Sequence, residues 1–370
     1  MRIGVPRERK DGERRVALTP DGAQTLVAAG HSVAIERGAG EHVGFSDADY
    51  VAAGASIAAD ASAIFGCPLV VKVKELQKDE VALLKPETTV LGFAQLGRDR
   101  ALLDAVLAAR IGVIGYETVS DGRGGLPLLA PMSRIAGRLA PLIAASLLMN
   151  DNGGAGVLLP GVDAAAPARV VIVGAGNVGS EAAQLALALG ADVTVFARTQ
   201  VRLAVLRTRC EAYAGERLRT AQCETPSLTA AIRQADVLIG AVLEPGRLSP
   251  KLVSRAMLQA MRGGSVFIDV GIDQGGIAET SRMTSISAPT FVEEGVVHYG
   301  VPNMPALVAR TATLALAQAT LPCIRLLADR GVSAALRIDA RLRAGLQVWD
   351  GAVVHPALAA DVGVVAAPWE

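Results

Sequence analysis

The 370-residue chain has few aromatic, cysteine and histidine residues, and these scarcities exclude several classes of function. Aromatic residues make up 3% of it, which argues against a surface that stacks bases or sugars. The four cysteines, Cys67, Cys210, Cys223 and Cys323, lack metal-type spacing, and no His, Asp or Glu cluster has ligand spacing either. We therefore expect no metal site, and reduced thiols in a cytoplasmic protein.

The chain also lacks a net charge and a long uncharged apolar run. Lys plus Arg and Asp plus Glu each number 36, so neither a nucleic acid nor an anionic membrane is expected as a partner. No uncharged apolar run reaches the roughly 18 residues of a membrane-spanning helix, and the opening MRIGVPRERKDGERR is too charged for a signal peptide. The 51% hydrophobic content and the length predict a well-packed protein of two domains.

The most informative segment is residues 170–199, VVIVGAGNVGSEAAQLALALGADVTVFART. A β-branched run, a Gly-rich turn, an Ala/Leu-rich helical pattern and a second β-branched run predict a βαβ unit with a dinucleotide fingerprint. Gly174 permits the tight turn, Gly176 lets a pyrophosphate approach the backbone, and Gly179 lets the helix pack closely on the strand. With Val178, these residues predict nicotinamide dinucleotide binding at the start of the helix.

The end of the second strand favours NADP(H) over NAD(H). NAD enzymes usually place Asp or Glu there, to accept hydrogen bonds from the ribose 2′-hydroxyl. This chain has Ala197, Arg198 and Thr199, with Arg202 a turn later. A guanidinium can pair with a 2′-phosphate, and no carboxylate repels it. The alternative is that Arg198 is a solvated surface charge and the cofactor is NAD(H).

Strand and helix patterns alternate along the chain, which predicts an α/β protein of two doubly wound, Rossmann-like domains with a cleft between them. We expect residues 1–132 and 305–370 to form a discontinuous substrate (catalytic) domain, and residues 133–304 to form the dinucleotide domain. Ser133 is expected to open the helix that enters the second domain, and a long helix after Pro305 is expected to end near Leu321. Strands are expected near residues 2–6, 31–36, 68–73, 89–93, 111–116, 170–173, 193–196, 237–241 and 265–270.

Seven segments together resemble the alanine dehydrogenase family, over nearly the whole chain. They are RIGVPRERK…ERRVALTP, VVKVKE, YETV, PMSRIAGRLA, VVIVGAGNVG, IDVGIDQGG and VVHYGVPNMPALVARTATLAL. The N-terminal domain of proton-translocating transhydrogenases is similar in its opening and fold, but VKVKE and IDQGG follow the dehydrogenase pattern. The resemblance implies a small carboxylate substrate and a homo-oligomer, either a dimer or a hexamer.

The resemblance also implies roles for individual residues. Arg15 and Lys74 match the arginine and lysine that hold a keto-acid carboxylate. Asp273 matches the catalytic aspartate, which can orient the amine and stabilise an iminium; a turn-capping role is the alternative. Asn303 and Met304 match residues of the nicotinamide pocket, and Asn303 is also expected to contact the substrate. The remaining expected cofactor contacts are Asp273 itself, Ser133, which could instead cap its helix, and Val242, Leu243 and Val270.

One departure from the family bears on mechanism. Gln95, in FAQLG, stands where the family has its catalytic histidine. A primary amide cannot act as a general acid or base near neutral pH, although it can donate a hydrogen bond. Either Lys74 and Asp273 move the protons, or the substrate arrives with a preformed C=N bond. A buried structural role is favoured for His298.

Three interpretations of function follow. The first is an NADP-dependent reductase of a C=N or 2-oxo group beside a carboxylate, which gives an amino-acid-like product. The alternatives are an ordinary L-alanine dehydrogenase, which aminates pyruvate with ammonia, and a non-catalytic dinucleotide-binding homologue. The missing histidine favours the non-catalytic interpretation, whereas the retention of Arg15, Lys74, Asp273 and Asn303 argues against it.

Overall fold

The structure, a computed structural model, describes residues 1–242 and 248–369. The chain divides into two compact units, one made of Met1–Met132 with Ala306–Glu370 and the other of Ser133–Pro305. Pro305, expected in the first unit, belongs to the second.

The first unit is built on an eight-stranded sheet. The side chain of Thr19 caps its first helix by accepting a hydrogen bond from the backbone N–H of Gly22, and Pro20 occupies the first helical position. The strands in the first part of the chain are β1 (Arg2–Val5), β2 (Ser32–Glu36), β3 (Ser56–Ala58), β4 (Leu69–Val71), β5 (Thr89–Gly92) and β6 (Gly112–Gly115). The helices are α1 (Pro20–Ala28), α2 (Asp47–Ala52), α3 (Ala61–Phe65), α4 (Lys78–Val81) and α5 (Arg100–Ala108).

Helix α6 (Ala130–Leu147) carries the chain into the second unit. The prediction that Ser133 opens this helix is wrong, because the helix begins three residues earlier and Ser133 lies within its first turn. Pro131 permits the earlier start, since a proline in the first turn needs no partner for its missing N–H. The side chain of Ser133 is therefore not an N-cap.

The second unit contains a seven-stranded sheet. Its last two strands form an antiparallel hairpin that the sequence patterns did not indicate. The strands are β7 (Arg169–Val173), β8 (Asp192–Ala197), β9 (Leu218–Gln222), β10 (Val237–Gly240), β11 (Val266–Asp269), β12 (Thr290–Glu293) and β13 (Val296–Tyr299). The helices are α7 (Asn177–Ala188), α8 (Gln200–Ala214), α9 (Thr225–Arg233) and α10 (Arg255–Gln259).

The chain returns to the first unit through a short 3-10 helix, Met304–Val308, and a long α-helix, α11 (Ala309–Arg330). The predicted end near Leu321 is wrong, because Pro322 lies inside the helix and the buried face continues to Leu327 and Ala328. The remaining elements are α12 (Val332–Ile338), α13 (Ala340–Arg343), β14 (Leu346–Trp349), β15 (Ala352–Val353) and α14 (Pro356–Val362).

Helix α11 belongs to the segment Met304–Arg330, which is long and apolar enough to cross a bilayer by length and composition alone. Its most apolar 18-residue window has a mean hydropathy of 1.3, and 33% of that window is buried. Core helices of folded domains meet the same criteria, and α11 contacts α1 and α12 of its own unit.

The two sheets share one winding order. Six strands of the first unit run β3-β2-β1-β4-β5-β6, and six of the second run β9-β8-β7-β10-β11-β13, all parallel. The antiparallel strands lie at the edges, β14 and β15 in one sheet and β12 in the other. This is the doubly wound order, so the predicted fold class is confirmed. Its switch points, where ligands bind beyond the carboxyl ends of strands, lie between β1 and β4 and between β7 and β10.

Small residues bring α6 directly onto the start of α7. Ala136, Ala140 and Ala144 recur every four residues and are buried in the core of the second unit. A Cβ on Gly137 would lie 2.3 Å from the carbonyl oxygen of Val178, so only glycine allows this approach. The packing fixes the position of the first turn of α7, which carries the predicted dinucleotide fingerprint.

Candidate active site

Arg15 follows β1, the first strand at the switch point of the first unit, and is 1% exposed. Its Nε donates to Oε1 of Glu13 at 2.7 Å, and its Nη2 donates to Oε2 at 2.5 Å. Nη1 also lies 3.1 Å from the sulfur of Met132. The buried Glu13 carboxylate pairs with the guanidinium and fixes its plane.

Lys74 follows β4, the other strand at this switch point, and is 5% exposed. Its Nζ lies 3.3 Å from Oε2 of Glu75, whose other oxygen accepts from Lys10. Burial alone would raise the pKa of Glu75, but Lys74 and Lys10 together hold it below its ordinary value. Glu75 is therefore an anion that holds the Lys74 ammonium in a buried environment.

A second set of buried ion pairs is formed by Lys72, two residues before Lys74. The ammonium of Lys72, which is fully buried, lies 2.9 Å from Glu80 and 3.4 Å from Glu8. Glu8 also accepts a 2.6 Å hydrogen bond from the backbone N–H of Val73. Burial raises the pKa of Glu8, and Lys72 opposes that shift. These paired charges hold the backbone from which Lys74 projects.

Gln95 follows β5 and has a left-handed backbone, with φ 45° and ψ 31°. Its N–H donates to Glu117 at 2.8 Å, and the N–H of Ala94 donates to the same carboxylate at 3.1 Å. Arg98 donates to the Gln95 amide oxygen at 3.1 Å. An arginine side chain can only donate hydrogen bonds, so the amide atom that faces Arg98 must be the oxygen. The NH₂ group of Gln95 therefore points away from Arg98 and can donate to another group.

Glu117, at the end of β6, was not predicted from the sequence. Burial raises the pKa of its carboxyl, whereas the N–H groups of Gln95 and Ala94 and the charge of Lys74 lower it. The carboxylate thus lies within electrostatic reach of Lys74 and holds the turn that presents Gln95. The first unit therefore brings Arg15, Lys74 and Gln95 to the carboxyl ends of β1, β4 and β5.

The glycine-rich turn of the second unit has the geometry that a dinucleotide needs. Gly174 has φ +118°, and a Cβ there would lie 2.3 Å from the carbonyl oxygen of Ala241. A Cβ on Gly179 would lie 1.9 Å from the oxygen of Gly174, whereas a Cβ on Gly176 would meet no atom within 4 Å. Gly176 is also the N-cap of α7, and no side chain in the described part of the chain caps that turn. The start of α7 therefore offers open space at Gly176 and backbone N–H groups without a side-chain cap, among them that of Val178. Both features fit a pyrophosphate.

Ala197 ends β8 and is buried, whereas Arg198, Thr199 and Arg202 are exposed. The Thr199 side chain caps α8 by accepting from the N–H of Arg202, and the first turn of this fully described helix holds no Asp or Glu. The carbonyl of Arg198 accepts a 3.3 Å hydrogen bond from Gln222. The end of β8 thus carries two exposed arginines and leads directly into the N-terminus of α8. Both the arginines and the helix N-terminus favour the binding of an anion.

Asp273 follows β11 and is half-buried in a short 3-10 helix, Ile272–Gln274. Val270, before this turn, and Val242, after β10, are also half-buried at the carboxyl ends of their strands. Leu243 lies outside the described residues. Asp273, Val270 and Val242 therefore share one sheet edge with the glycine turn after β7.

The last predicted residues lie between β13 and α11. Asn303 is half-buried with a positive φ of 60°, and Met304 is 2% exposed within the core of the second unit. The contacts of Asn303 and Met304 with a nicotinamide remain predictions. His298, on β13, is buried; its Nε2 bonds to Thr280 at 2.8 Å and its Nδ1 to the carbonyl of Val296 at 2.9 Å. Burial lowers its pKa, and this histidine has a structural role.

Four supporting residues were not predicted, because each contacts a site residue, or the backbone that follows one, in a way that no local motif records. They are Glu13 beside Arg15, Glu117 beside Gln95, and Asp269 and Lys251 around the Asp273 turn. Within residues 1–242 and 248–369, no three His, Cys, Asp or Glu side chains are arranged to hold a metal ion.

Comparison with known proteins assigns the family. The alanine dehydrogenase/PNT N-terminal domain matches residues 4–136, and the C-terminal domain of the same name matches residues 140–356. The alanine dehydrogenase of Halomonas elongata is 48% identical over 365 residues, which are 98% of this chain and 97% of that protein.

Solved structures agree. A structure of L-alanine dehydrogenase superimposes with a TM-score of 0.94 at 44% identity, over 98% of this chain and 99% of that one. The transhydrogenase from Sinorhizobium meliloti shares the fold, with a TM-score of 0.81 at 22% identity over 96% of this chain and 100% of that one. This chain belongs to the alanine dehydrogenase/PNT family and is an alanine dehydrogenase-like oxidoreductase that binds a nicotinamide dinucleotide.

Proposed function

We propose that the chain catalyses the reversible reductive amination of pyruvate to L-alanine, with NADP(H) as the preferred dinucleotide. The observation that carries this proposal is the buried Arg15 that, with Lys74, flanks the β1/β4 switch point in a chain 48% identical to an alanine dehydrogenase. A fixed guanidinium with a neighbouring ammonium is suited to a small acid with a reactive oxygen beside its carboxylate.

The amination requires two bond changes before reduction. The nitrogen of ammonia bonds to the keto carbon, and the keto oxygen then leaves as water. Lys74 is the proton donor to that oxygen, and Glu75 keeps its ammonium oriented. Arg15 holds the carboxylate throughout, because Glu13 fixes its guanidinium plane. The Asp273 carboxylate stabilises the positive charge of the iminium.

A bound nicotinamide dinucleotide supplies the hydride that reduces the iminium carbon. The balanced reaction consumes pyruvate, ammonium, reduced dinucleotide and one proton, and it yields alanine, water and oxidised dinucleotide. Gln95 takes no proton in this scheme, because its amide donates a hydrogen bond without titrating near neutral pH. The contact with Arg98 orients the amide NH₂ for that purpose.

The proposed preference for NADP(H) rests on the end of β8. Ala197 replaces the carboxylate that would bind a ribose 2′-hydroxyl, and Arg198 and Arg202 offer guanidinium groups to a 2′-phosphate. The first turn of α8 adds its partial positive charge. Michaelis constants for NADPH and NADH, with pyruvate and ammonium saturating, test this preference; a lower KM for NADH contradicts it.

Gln95 favours a second candidate, the reduction of a preformed C=N bond beside a carboxylate. Such a substrate needs no addition of ammonia and no loss of water, so the absent histidine has less effect on it. The comparison of pyruvate plus ammonium with a cyclic imine carboxylate alone, each with NADPH, separates the two. Turnover of pyruvate only when ammonium is present supports the first proposal. Turnover confined to the imine supports the second, and NADPH binding without turnover of either indicates a non-catalytic binder.

We also propose a cytoplasmic homo-oligomer, either a dimer or a hexamer. Among the described residues all four thiols are unpaired, which is consistent with a reducing compartment. Light scattering of the purified protein across a tenfold dilution measures the mass of the assembly; a monomeric mass at every concentration contradicts the proposal.

A further inference from the structure

The turn that carries Asp273, and the residues after it, are hydrogen-bonded to the segment 248–253. The N–H of Ser249 donates to the carbonyl of Gln274 at 2.8 Å, and the N–H of Leu252 donates to the carbonyl of Ile277, also at 2.8 Å. An isolated parallel bridge pairs Val253 with Ala278. The backbone on the C-terminal side of Asp273 is therefore bonded to a neighbouring segment at successive positions.

Lys251 adds a side-chain contact to this arrangement. Its Nζ donates to the carbonyl oxygens of Gly275 at 2.6 Å, Gly276 at 3.1 Å and Ala278 at 2.8 Å. An ammonium has three N–H donors, so these three bonds use its whole hydrogen-bonding capacity on one loop. The first of these carbonyls is two residues from Asp273.

Asp269 holds the same loop from its buried side. Its Oδ2 accepts from the N–H of Ile277 at 3.0 Å and from the hydroxyl of Ser281 at 2.5 Å. Ser281 in turn accepts from the N–H of Ala278 at 3.0 Å. The loop thus has the Lys251 ammonium on three of its carbonyl oxygens, the Asp269 carboxyl on the N–H of Ile277 and the Ser281 hydroxyl on the N–H of Ala278, which together fix the orientation of its peptide planes.

We propose that Lys251 is a positioning residue for Asp273. Its ammonium binds the carbonyls of Gly275, Gly276 and Ala278 and so fixes the backbone from which the Asp273 carboxylate projects. The inference rests on the proposed function for the role of Asp273 and on the bonds above for the role of Lys251. A displacement of about 1 Å of a catalytic group can reduce a rate about 10²-fold, so even a small relaxation of the loop is measurable.

The test compares Lys251→Met with Arg255→Met. Lys251 is exposed, so its loss does not threaten the core. Arg255 lies four residues later, and its side chain pairs with Glu293 and Glu294, both at 2.6 Å; its backbone N–H donates to Glu279, a bond that the substitution to methionine keeps. We expect Lys251→Met to lower kcat by about 10- to 100-fold and to leave the Kd of NADPH within about threefold. Arg255→Met, the matched loss of a paired cation, changes kcat less than about twofold.

A double-variant cycle distinguishes positioning from general stability. In an Asp273→Asn background, Lys251→Met should lower kcat by less than about twofold, because the group on which it acts is already lost. An equal loss in both backgrounds overturns the proposal, as does an unchanged kcat in the single variant.

Hydrogen exchange gives a readout that does not depend on the substrate. The amides of residues 271–281 should exchange faster in Lys251→Met than in the unmodified protein or in Arg255→Met. If the unmodified protein turns over neither pyruvate nor an imine but exchange still rises, the proposed function fails and the restraint of this loop by Lys251 stands. Unchanged exchange overturns the inference whatever the substrate proves to be.

Discussion

The Glu13 carboxylate binds Arg15 through two parallel hydrogen bonds, and the two side chains are 0% and 1% exposed. A buried guanidinium is tolerated because its partner is buried with it, only two residues earlier in the chain. The same carboxylate also accepts the backbone N–H groups of Arg14 and Arg15, at 3.1 and 2.9 Å. Glu13 therefore shapes the loop and also holds the plane of the guanidinium.

This pair allows stability and substrate binding to be separated. Arg15→Met removes the guanidinium that binds a buried carboxylate through two hydrogen bonds, which should lower the free energy of unfolding by about 3 kcal/mol or more. The double variant Glu13→Gln/Arg15→Met removes both charges, and the introduced amide oxygen can still accept the backbone N–H groups, so urea unfolding should show recovery of most of that loss. The KM for pyruvate should stay raised in both variants. A double variant that regains the native KM would exclude Arg15 as the anchor of the carboxylate.

Gln95→His tests what the amide at this position contributes. The left-handed backbone at φ 45° is compatible with histidine, which is enriched in that region. We expect the variant to add a titration with a midpoint near pH 6.5 to the profile of kcat/KM for pyruvate amination. We also expect a higher kcat, because a positioned acid–base group contributes about 10²- to 10⁴-fold. The control is Gln95→Ala, which lacks both the donor and the titrating group.

If Gln95→His changes neither the rate nor the pH profile, the side chain at this position takes no part in proton transfer. The scheme in which Lys74 protonates the departing oxygen would then need no help from this position.

The substitution Arg198→Ala should weaken the binding of NADPH and leave the binding of NADH unchanged. A charge-assisted hydrogen bond to a phosphate is worth about 1.5–3 kcal/mol, so the KM for NADPH should rise about 10- to 100-fold. Arg207→Ala is the matched control, since Arg207 lies on α8 but donates to Thr220 at 2.8 Å. Conversely, Ala197→Asp should reverse the preference towards NADH. Equal effects of Arg198→Ala on both dinucleotides would show that Arg198 does not contact a 2′-phosphate.

Two adjacent glycines in IDQGG should respond differently to alanine. Both have positive φ, +86° at Gly275 and +71° at Gly276, so both substitutions strain the backbone by similar amounts. A Cβ on Gly276 would lie 2.1 Å from Oδ2 of Asp269, whereas a Cβ on Gly275 would have its nearest neighbour, a Leu248 methyl group, at 3.5 Å. We expect Gly276→Ala to lower the melting temperature and kcat clearly more than Gly275→Ala. Equal effects would show that Asp269 does not restrict this turn.

The elements that the sequence predicts are those whose pattern is local. The β-branched runs at β7 and β8 and the glycine turn between them can be recognised because each signal spans a few adjacent residues. The hairpin of β12 and β13 was missed, although Glu294 and Gly295 both have the positive φ of a tight turn. A Glu-Gly pair is a weaker turn signal than Asn-Gly, and β13 is buried on both faces, so it shows no alternation.

The supporting residues of the site are not visible in a local pattern. Glu117 bonds to a backbone N–H 22 residues away, and Lys251 bonds to carbonyls 24 to 27 residues away. Backbone groups carry no residue identity, so a side chain that binds them leaves no complementary residue in the sequence. The family resemblance supplied Arg15, Lys74 and Asp273, whereas the groups that hold them are seen only in the folded structure.

Both sheets follow the same winding, yet the turn after the first strand differs in chemistry. In the second unit, the turn after β7 is rich in glycine and exposes its backbone. In the first unit, the turn after β1 carries charged side chains, among them Glu8, Glu13 and Arg15. The same sheet order therefore presents backbone N–H and C=O groups to a ligand in the second unit, and charged side chains in the first. Exchange of these few turn residues, with the strands kept, would therefore be a route for redesigning which ligand either lobe accepts.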